Sequence, residues 1–124
     1  MKDAKQILII DDEEAIADIL ARRFERLGFR VFKEHDGAEA IEVLKNETIQ
    51  LVICDVKMPN GVSGSDVLKA AQRYNPGSQF VAISGHLHSH DSVKAIMNEG
   101  ATCFIKKPFP CLREVTQKIA GLIA

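Results

Sequence analysis

The sequence predicts an α/β fold in which helices cover both faces of a five-stranded parallel sheet. Two observations support this fold class. Short, almost wholly apolar runs alternate along the chain with longer segments that have helical periodicity, and those runs lack the polar face of a half-exposed strand. Strands of a parallel sheet that is buried on both faces have this pattern. The 124 residues suit one domain, which we assign to residues 1–124.

The predicted strands are short. Four buried strands are predicted over Ile7–Ile10, Leu51–Cys54, Phe80–Ile83 and Cys103–Ile105. A more polar run, residues 30–34, is predicted to be an edge strand. Strict alternation of strands and helices implies right-handed crossovers and a parallel sheet. The expected architecture is therefore a doubly wound (βα)5 fold, which is a flavodoxin-like three-layer sandwich.

Five helices are predicted from apolar residues at helical spacing. The first helix has an apolar face of Ile16, Ile19, Leu20, Phe24 and Leu27, and the last has one of Leu112, Val115, Ile119 and Leu122. Shorter stripes are formed by Ile41 with Leu44, by Leu68 with Ala71, and by Val93 with Ile96 and Met97. Gly28 and Gly100 are predicted to end helices, and residues 75–77 to form a turn.

Composition excludes several classes of function. The net charge of −1 and the isoelectric point of about 6.4 create no positive field for nucleic acid or membrane surfaces. No apolar run is long enough to span a bilayer, and the start of the chain does not resemble a signal peptide. The three cysteines have no paired spacing. We therefore expect a reducing, cytoplasmic setting, with no direct nucleic-acid or membrane partner.

Carboxylates follow two of the predicted strands. Asp11 and Asp12 follow the first strand, and Asp55 follows the third. If these strands are neighbours, about 4.8 Å apart, the three carboxylates could share one cation, and oxygen donors suit Mg²⁺. Mn²⁺ is expected to substitute. The acidic cluster has another interpretation, in which Asp11 or Asp12 caps the first helix and the following glutamates favour its positive end.

Two further strand ends carry polar groups. Ser84 follows the fourth strand and offers a hydroxyl, and Lys107 follows the fifth and offers a compact positive charge. Taken singly, Ser84 suits a loop start and Lys107 a solvated surface pair with Lys106. Taken together with the aspartates, they form a set suited to phosphoryl transfer, in which an aspartate serves as the nucleophile.

With these residues in order, the sequence resembles the receiver domain of two-component response regulators. The resemblance covers essentially the whole chain. It rests on four motifs: Ile9-Ile10-Asp11-Asp12-Glu13, Asp55-Val56-Lys57-Met58-Pro59, Ser84-Gly85 and Lys107-Pro108-Phe109. It implies a signalling switch rather than an enzyme, one that catalyses only its own phosphorylation and dephosphorylation.

The resemblance also implies a role for each site residue. Asp55 would accept a phosphoryl group from a histidine kinase or a histidine phosphotransfer protein. Asp12 would bind Mg²⁺ directly and Asp11 largely through water, while Asp55 and the backbone carbonyl of Lys57 would complete the protein ligands. Lys107, in a cis bond to Pro108, would pair with the phosphoryl oxygens.

The conformational change would involve two further positions. Ser84 would move to bind the phosphoryl oxygens, and Phe104, at the switch-aromatic position, would turn inward with it. The readout surface would be the fourth helix, fifth strand and fifth helix. It would control a downstream protein target or a fused output domain. As a residue of a core strand, Phe104 is otherwise a packing residue.

The chain departs from the common receiver pattern in two loops. The loop after Pro59 is one residue longer before its glycine than is commonest. Lys57 and His86, each two residues after a site residue, are hypothesised to tune the dephosphorylation rate, and the alternative is that both face solvent. His86, His88 and His90 alternate, as in a transition-metal site or pH sensor. The other interpretation is a polar segment leading into a helix capped near Ser89 or Asp91.

Three other functions are compatible with parts of the pattern. An aspartate-nucleophile phosphatase would need an acid two residues after Asp55, where Lys57 stands. A flavodoxin-like cofactor carrier would need a phosphate-binding loop after the first strand, where the acidic cluster would repel phosphate. A receiver-like scaffold that acts without phosphorylation is disfavoured by the complete set of site residues. Pro110 is compatible with the first position of the last helix.

Overall fold

A computed structural model describes residues 4–56, 61–85 and 90–123, except for the side chains of His90 and Ser92. Within these ranges strands and helices alternate: β1 (Gln6–Ile10), α1 (Glu14–Arg26), β2 (Arg30–Glu34), α2 (Gly37–Asn46), β3 (Leu51–Asp55), α3 (Gly64–Tyr74), β4 (Gln79–Ser84), α4 (His90–Asn98), β5 (Cys103–Lys106) and α5 (Leu112–Ala120). The strands form a parallel sheet in the order β2-β1-β3-β4-β5. The predicted fold class is confirmed.

The strand order places the first and third strands side by side, as the acidic-site argument required. Ile10 lies opposite Cys54 in the register of β1 and β3, so the residues that follow them, Asp11 and Asp55, are neighbours. Strand β2 lies at the edge of the sheet, as its polar composition predicted. Because all strands are parallel, their carboxyl ends meet at one edge of the sheet.

Two hydrophobic layers enclose the sheet. Helices α1 and α5 pack on one face, where Phe24 and Ile119 are buried. Helices α2, α3 and α4 pack on the other face with the alternate residues of each strand, and Phe80 is buried there. Burying one such large apolar side chain contributes roughly 1.5–3 kcal/mol, so these two layers hold the strand ends in place.

The predicted apolar face of α1 is partly wrong. Ile19 and Leu27 are 43% and 51% exposed, whereas Ala17 and Ala21 are buried together with Leu20 and Phe24. The helix is rotated so that small alanines face the sheet. The spacing of large apolar residues does not predict this orientation of the helix. Alanine lets a helix approach a sheet closely but contributes little to an apolar stripe.

Gly28 and Gly100 end helices as predicted. Each has a positive φ, 97° and 118°, which a residue without a Cβ adopts without strain. At the end of α1, Gly28 N–H donates to Glu25 O and Phe29 N–H donates to Phe24 O. Gly100 and Ala101 make the corresponding pair of hydrogen bonds at the end of α4. This is the Schellman arrangement, which satisfies carbonyl groups at a helix end.

The predicted helix starts need correction. The N-cap of α1 is Glu13, whose side chain makes no capping hydrogen bond within the described residues, so neither Asp11 nor Asp12 caps this helix. Asp11 Oδ1 instead accepts a hydrogen bond from Glu13 N–H at 2.9 Å. Helix α5 starts at Leu112 with Cys111 as N-cap, which places Pro110 before the cap. Asp91 lies in the first turn of α4, and Ser89 lies outside the described residues.

The side chain of Asn75 connects three segments of the chain by hydrogen bonds. This buried residue follows the last residue of α3 as its C-cap. Its Oδ1 accepts a hydrogen bond from Ile49 N–H at 2.9 Å, and its Nδ2 donates to Leu44 O at 2.9 Å and to Glu47 O at 3.3 Å.

We expect Asn75→Ala to lower the free energy of unfolding by about 2 kcal/mol, because buried backbone groups would lose their partners. Urea denaturation measures this. The exposed Asn98→Ala should change it by less than about 0.5 kcal/mol; equal effects would contradict the prediction.

Candidate functional site

Four carboxylates meet at the carboxyl ends of β1 and β3. Asp11 is fully buried and Asp55 is 3% exposed, while Asp12 and Glu13 are exposed at the mouth of the site. One oxygen from each of these residues lies within 4.8 Å of the others. The predicted meeting of Asp11, Asp12 and Asp55 is therefore observed, and Glu13 joins them.

Lys107 lies in the middle of this cluster. Its Nζ is 2.8 Å from Asp11 Oδ2, 3.0 Å from Asp55 Oδ2 and 3.1 Å from Glu13 Oε1. The residue is only 7% exposed, and its backbone N–H donates to Ser84 O at 2.9 Å, which anchors it beside β4. Lys107 is thus no solvated surface lysine, unlike the exposed Lys106. The Lys107–Pro108 bond is cis, as the resemblance implied.

Burial and mutual contact shift the pKa values of Asp11 and Lys107. Burial raises the pKa of Asp11 above its ordinary value, although the hydrogen bonds from Lys107 and from Glu13 N–H lower it in part. For Lys107, burial alone would lower the pKa, but its hydrogen bonds with Asp11 and Asp55 outweigh burial and raise it. Lys107 therefore carries its positive charge at neutral pH and offsets the carboxylates around it.

The donor set of this cluster fits a hard divalent cation. Each of the four clustered side chains offers a carboxylate oxygen, which is the donor type that Mg²⁺ selects. Asp11 and Asp55 are buried within the cluster, and Asp12 is exposed at its mouth. The backbone carbonyl of Lys57, the remaining predicted ligand, lies outside the described residues.

Ser84 and Phe104 occupy the positions that the sequence indicated. Ser84 is buried as the last residue of β4, and Asp55 lies opposite Ile83, so the serine follows directly beside the site. Phe104 is a residue of β5 and lies opposite Ala82 of β4. It is half-buried against the hydrophobic layer that contains α4. The structure thus brings Ser84 to the carboxylates and sets Phe104 one strand further along. Their roles as switch residues stay predictions.

The close approach of neighbouring backbone and side chains to two glycines beside the site was not anticipated. A Cβ on Gly64, the first residue of α3, would lie 3.2 Å from both Asp55 O and Val56 Cα. A Cβ on Gly85 would lie 3.3 Å from Lys107 Cβ. Both glycines let neighbouring backbone close around Asp55 and Lys107. The available signal was their position, since Gly64 follows the helix-capping Ser63 and Gly85 follows a strand end.

The longer loop after Pro59 is described only from Gly61 onward. Gly61 has a positive φ of 80°, and Val62 packs so closely on Gly37 that a Cβ there would lie 2.4 Å from Val62 Cγ1. Ser63 then forms a reciprocal capping box with Asp66. The extra residue therefore leads into an ordinary start of α3.

Several predicted positions lie outside the described residues. These include Lys57 and His86, whose hypothesised effect on dephosphorylation stays a prediction, and also His88 and the side chain of His90. A transition-metal site or pH sensor at the three histidines likewise stays a hypothesis. Among the helices that the structure describes, none combines the length and apolar character needed to cross a bilayer.

Comparisons with known proteins agree on one family. The model of the response regulator receiver domain matches residues 7–120. Response regulator SaeR of Staphylococcus aureus is 35% identical over 117 residues, which are 94% of this chain and 50% of SaeR. The chain therefore spans about half the length of the curated relatives it matches.

Solved structures show the same relationship. A CheY-like receiver domain protein from Methanospirillum hungatei has a TM-score of 0.88 at 29% identity, covering 98% of this chain and 94% of that one. A receiver domain protein from Clostridium thermocellum has a TM-score of 0.82 at 29% identity, covering 96% and 94% of the two chains. Sequence and fold thus point to the same kind of domain.

Proposed function

Since the chain belongs to the response regulator receiver domain family of two-component signalling, we propose that Asp55 accepts a phosphoryl group from a histidine kinase or a histidine phosphotransfer protein. One observation carries this proposal: a nearly buried aspartate at a strand end contacts a buried lysine and lies within 4.8 Å of three other carboxylates. An arrangement of this kind supplies a nucleophile and the positive charge that a phosphoryl group requires.

The transfer is a displacement at phosphorus. A carboxylate oxygen of Asp55 forms the new O–P bond as the N–P bond of the donor phosphohistidine breaks, and the bonding electron pair stays on the imidazole nitrogen. A phosphoryl group on a side chain carries a charge of about −1.5 to −2. Lys107 lies 3.0 Å from Asp55, so its ammonium is placed to pair with the phosphoryl oxygens and stabilise this charge.

Mg²⁺, when bound, would neutralise charge on the phosphoryl oxygens. Asp12, Asp11, Asp55 and the backbone carbonyl of Lys57 would hold it, because they combine the exposed and the buried carboxylates of the cluster. Water later cleaves the acyl phosphate, which returns Asp55 as a carboxylate and releases inorganic phosphate. The chain therefore acts on its own side chain as a switch and converts no separate substrate.

Phosphorylation would be read out on the α4–β5–α5 face. Ser84 lies beside Asp55 at the end of β4, where its hydroxyl could donate to a phosphoryl oxygen. Phe104 packs against the same layer as Val93 and Met97 of α4 and is only half-buried, so an inward turn would bury more of its ring. A ligand that contacts one state of such a loop biases its equilibrium. The target would be a downstream protein or a fused output domain.

The proposal is tested by intact-mass analysis after incubation with acetyl phosphate and Mg²⁺. Wild-type protein should gain one phosphoryl group, whereas Asp55→Asn and wild-type protein with excess EDTA should gain none. Asn has nearly the shape of Asp but lacks the nucleophilic carboxylate. Absence of uptake by the wild type, or equal uptake by the variant, would refute the proposal and favour a receiver-like scaffold that acts without phosphorylation.

A further inference from the structure

The Lys107 ammonium forms ion pairs with three different carboxylates. An ammonium group has three N–H donors, and the described contacts supply three acceptors: Asp11, Asp55 and Glu13. Under the proposed function, two of these acceptors change their role. Asp11 turns to the metal and Asp55 becomes an acyl phosphate, while Glu13 is not among the proposed metal ligands and is not phosphorylated. Of these three acceptors, Glu13 is thus the one that Lys107 can keep throughout the cycle.

Glu13 is well placed to serve as a constant partner. Its backbone N–H donates to Asp11 Oδ1 at 2.9 Å, and its carbonyl accepts from Ile16 N–H and Ala17 N–H at the start of α1. The main chain of Glu13 is therefore fixed both to the site and to a helix. Its side chain, 60% exposed, reaches inward to the buried ammonium of Lys107. A fixed backbone with a solvent-accessible carboxylate lets the contact persist while the buried groups rearrange.

We propose that Glu13 is a positioning residue that holds Lys107 toward Asp55 when the metal and the phosphoryl group engage the other two carboxylates. This inference rests on the proposed function and adds a residue to its mechanism. The simpler interpretation is that Glu13 only places negative charge at the positive end of α1, as Glu14 also does. The two interpretations differ in what happens to Lys107.

Glu13→Gln and Glu14→Gln form a matched pair of variants. Each removes one negative charge from the start of α1, but the described contact of Glu14 is with His35 at 3.3 Å. We expect Glu13→Gln to lower the rate of phosphorylation at saturating acetyl phosphate by about 3- to 10-fold, since a misplaced catalytic group costs rate. The donor concentration giving half the maximal rate should not change. Glu14→Gln should stay within about twofold of wild type. Each variant is assayed at its own saturating Mg²⁺ concentration.

A second readout follows Lys107 directly. The ¹⁵N-labelled ammonium of Lys107 is observed by NMR in protein loaded with Mg²⁺ and beryllofluoride, a phosphoryl mimic. Glu13→Gln should shift or broaden this signal and speed its hydrogen exchange, whereas Glu14→Gln should leave it as in wild type. Glu13→Asp keeps the charge but shortens the side chain by one methylene, so it should also lower the rate.

Two results would overturn the inference. One is a Glu13→Gln variant whose rate and Lys107 signal both match wild type, and the other is a normal Glu13→Asp variant beside an impaired Glu13→Gln, which would assign the effect to charge alone. Failure of the proposed function appears differently, because the wild type itself would then show no Asp55-dependent phosphorylation.

Discussion

Replacing Lys107 with methionine is expected to lower the free energy of unfolding by about 3 kcal/mol at pH 7 without metal, since removing one partner of a buried ion pair leaves the others uncompensated. Asp11 and Asp55 would remain buried without their cation. Urea denaturation measures the loss. Lys106→Met is the matched control, because it removes the same charge from the exposed neighbouring residue and should change stability by less than about 0.5 kcal/mol.

The loss of stability caused by Lys107→Met should depend on pH in a defined direction. Lys107 has a raised pKa in the folded state, so its stabilising contribution is present below its unfolded pKa and disappears only as pH rises through the folded value. The pKa of Asp11 is also raised, so its buried carboxylate costs stability above that pKa, and the cost is relieved as pH falls through it. Lys107→Met removes the hydrogen bond and the positive charge that lower the pKa of Asp11, so this carboxyl takes up its proton at a higher pH in the variant than in wild type. The difference in the free energy of unfolding between wild type and Lys107→Met should therefore shrink as the pH is lowered from 7. A constant or growing difference would contradict this account.

Lys107→Met should also lower the rate of phosphorylation at Asp55. Without the ammonium, the phosphoryl charge at Asp55 would lack a partner that the structure places 3.0 Å away. Loss of a preorganised charge-stabilising donor typically costs about a hundredfold in rate. We expect Lys107→Met to slow uptake from acetyl phosphate by that order at saturating Mg²⁺, and Lys106→Met to react as wild type does.

Mg²⁺ is expected to stabilise the wild-type fold by about 2.7 kcal/mol at a concentration one hundred times its dissociation constant, through linkage of binding to folding. The ion would offset the mutual repulsion of Asp11, Asp12 and Asp55. Asp12→Asn should remove most of this gain, because it takes away the exposed carboxylate among the proposed Mg²⁺ ligands. Glu14→Gln, an exposed acid outside the four-carboxylate cluster, should retain it. Thermal unfolding in a Mg²⁺ titration measures each gain.

The Mg²⁺ effect should weaken in acid. The raised pKa of Asp11 means that a proton occupies this carboxylate at a higher pH than for an exposed aspartate. Since metal binding requires the carboxylate form, protons and Mg²⁺ compete, and the apparent affinity should fall as the pH is lowered toward that pKa. A gain that is independent of pH between 7 and 4.5, or one retained in full by Asp12→Asn, would argue against a metal site at these residues.

Much of the site was predictable because it lies at strand ends. The apolar runs located the strands, and the residue after each run is where a parallel sheet exposes its functional edge. Asp11, Asp55, Ser84 and Lys107 all follow from this reasoning, since each is the last residue of a strand or the residue after it. The motif resemblance added Lys57, His86 and Phe104, whose roles have no signal in periodicity.

Contacts between distant segments were not predictable in the same way. The ion pair of Glu13 with Lys107 joins residues 94 positions apart, and the sequence around either residue does not indicate that the two are in contact. The exposure of Ile19 and Leu27 and the burial of Ala17 and Ala21 depend on how α1 is rotated against the sheet. The alternative in which Asp11 or Asp12 caps α1 also depended on the backbone path, because Glu13 is the N-cap and Asp11 Oδ1 accepts from Glu13 N–H.

The alternation of strands and helices, the buried and edge strands, and the acidic and basic residues at the sheet edge could all be inferred from the amino-acid sequence. These follow from local patterns, namely the spacing of apolar residues and the glycines that end helices. The tertiary structure alone decided that Lys107 is buried among three carboxylates, and hence that its pKa and that of Asp11 are both raised. Burial and charge pairing arise only when strands from different parts of the chain are brought side by side.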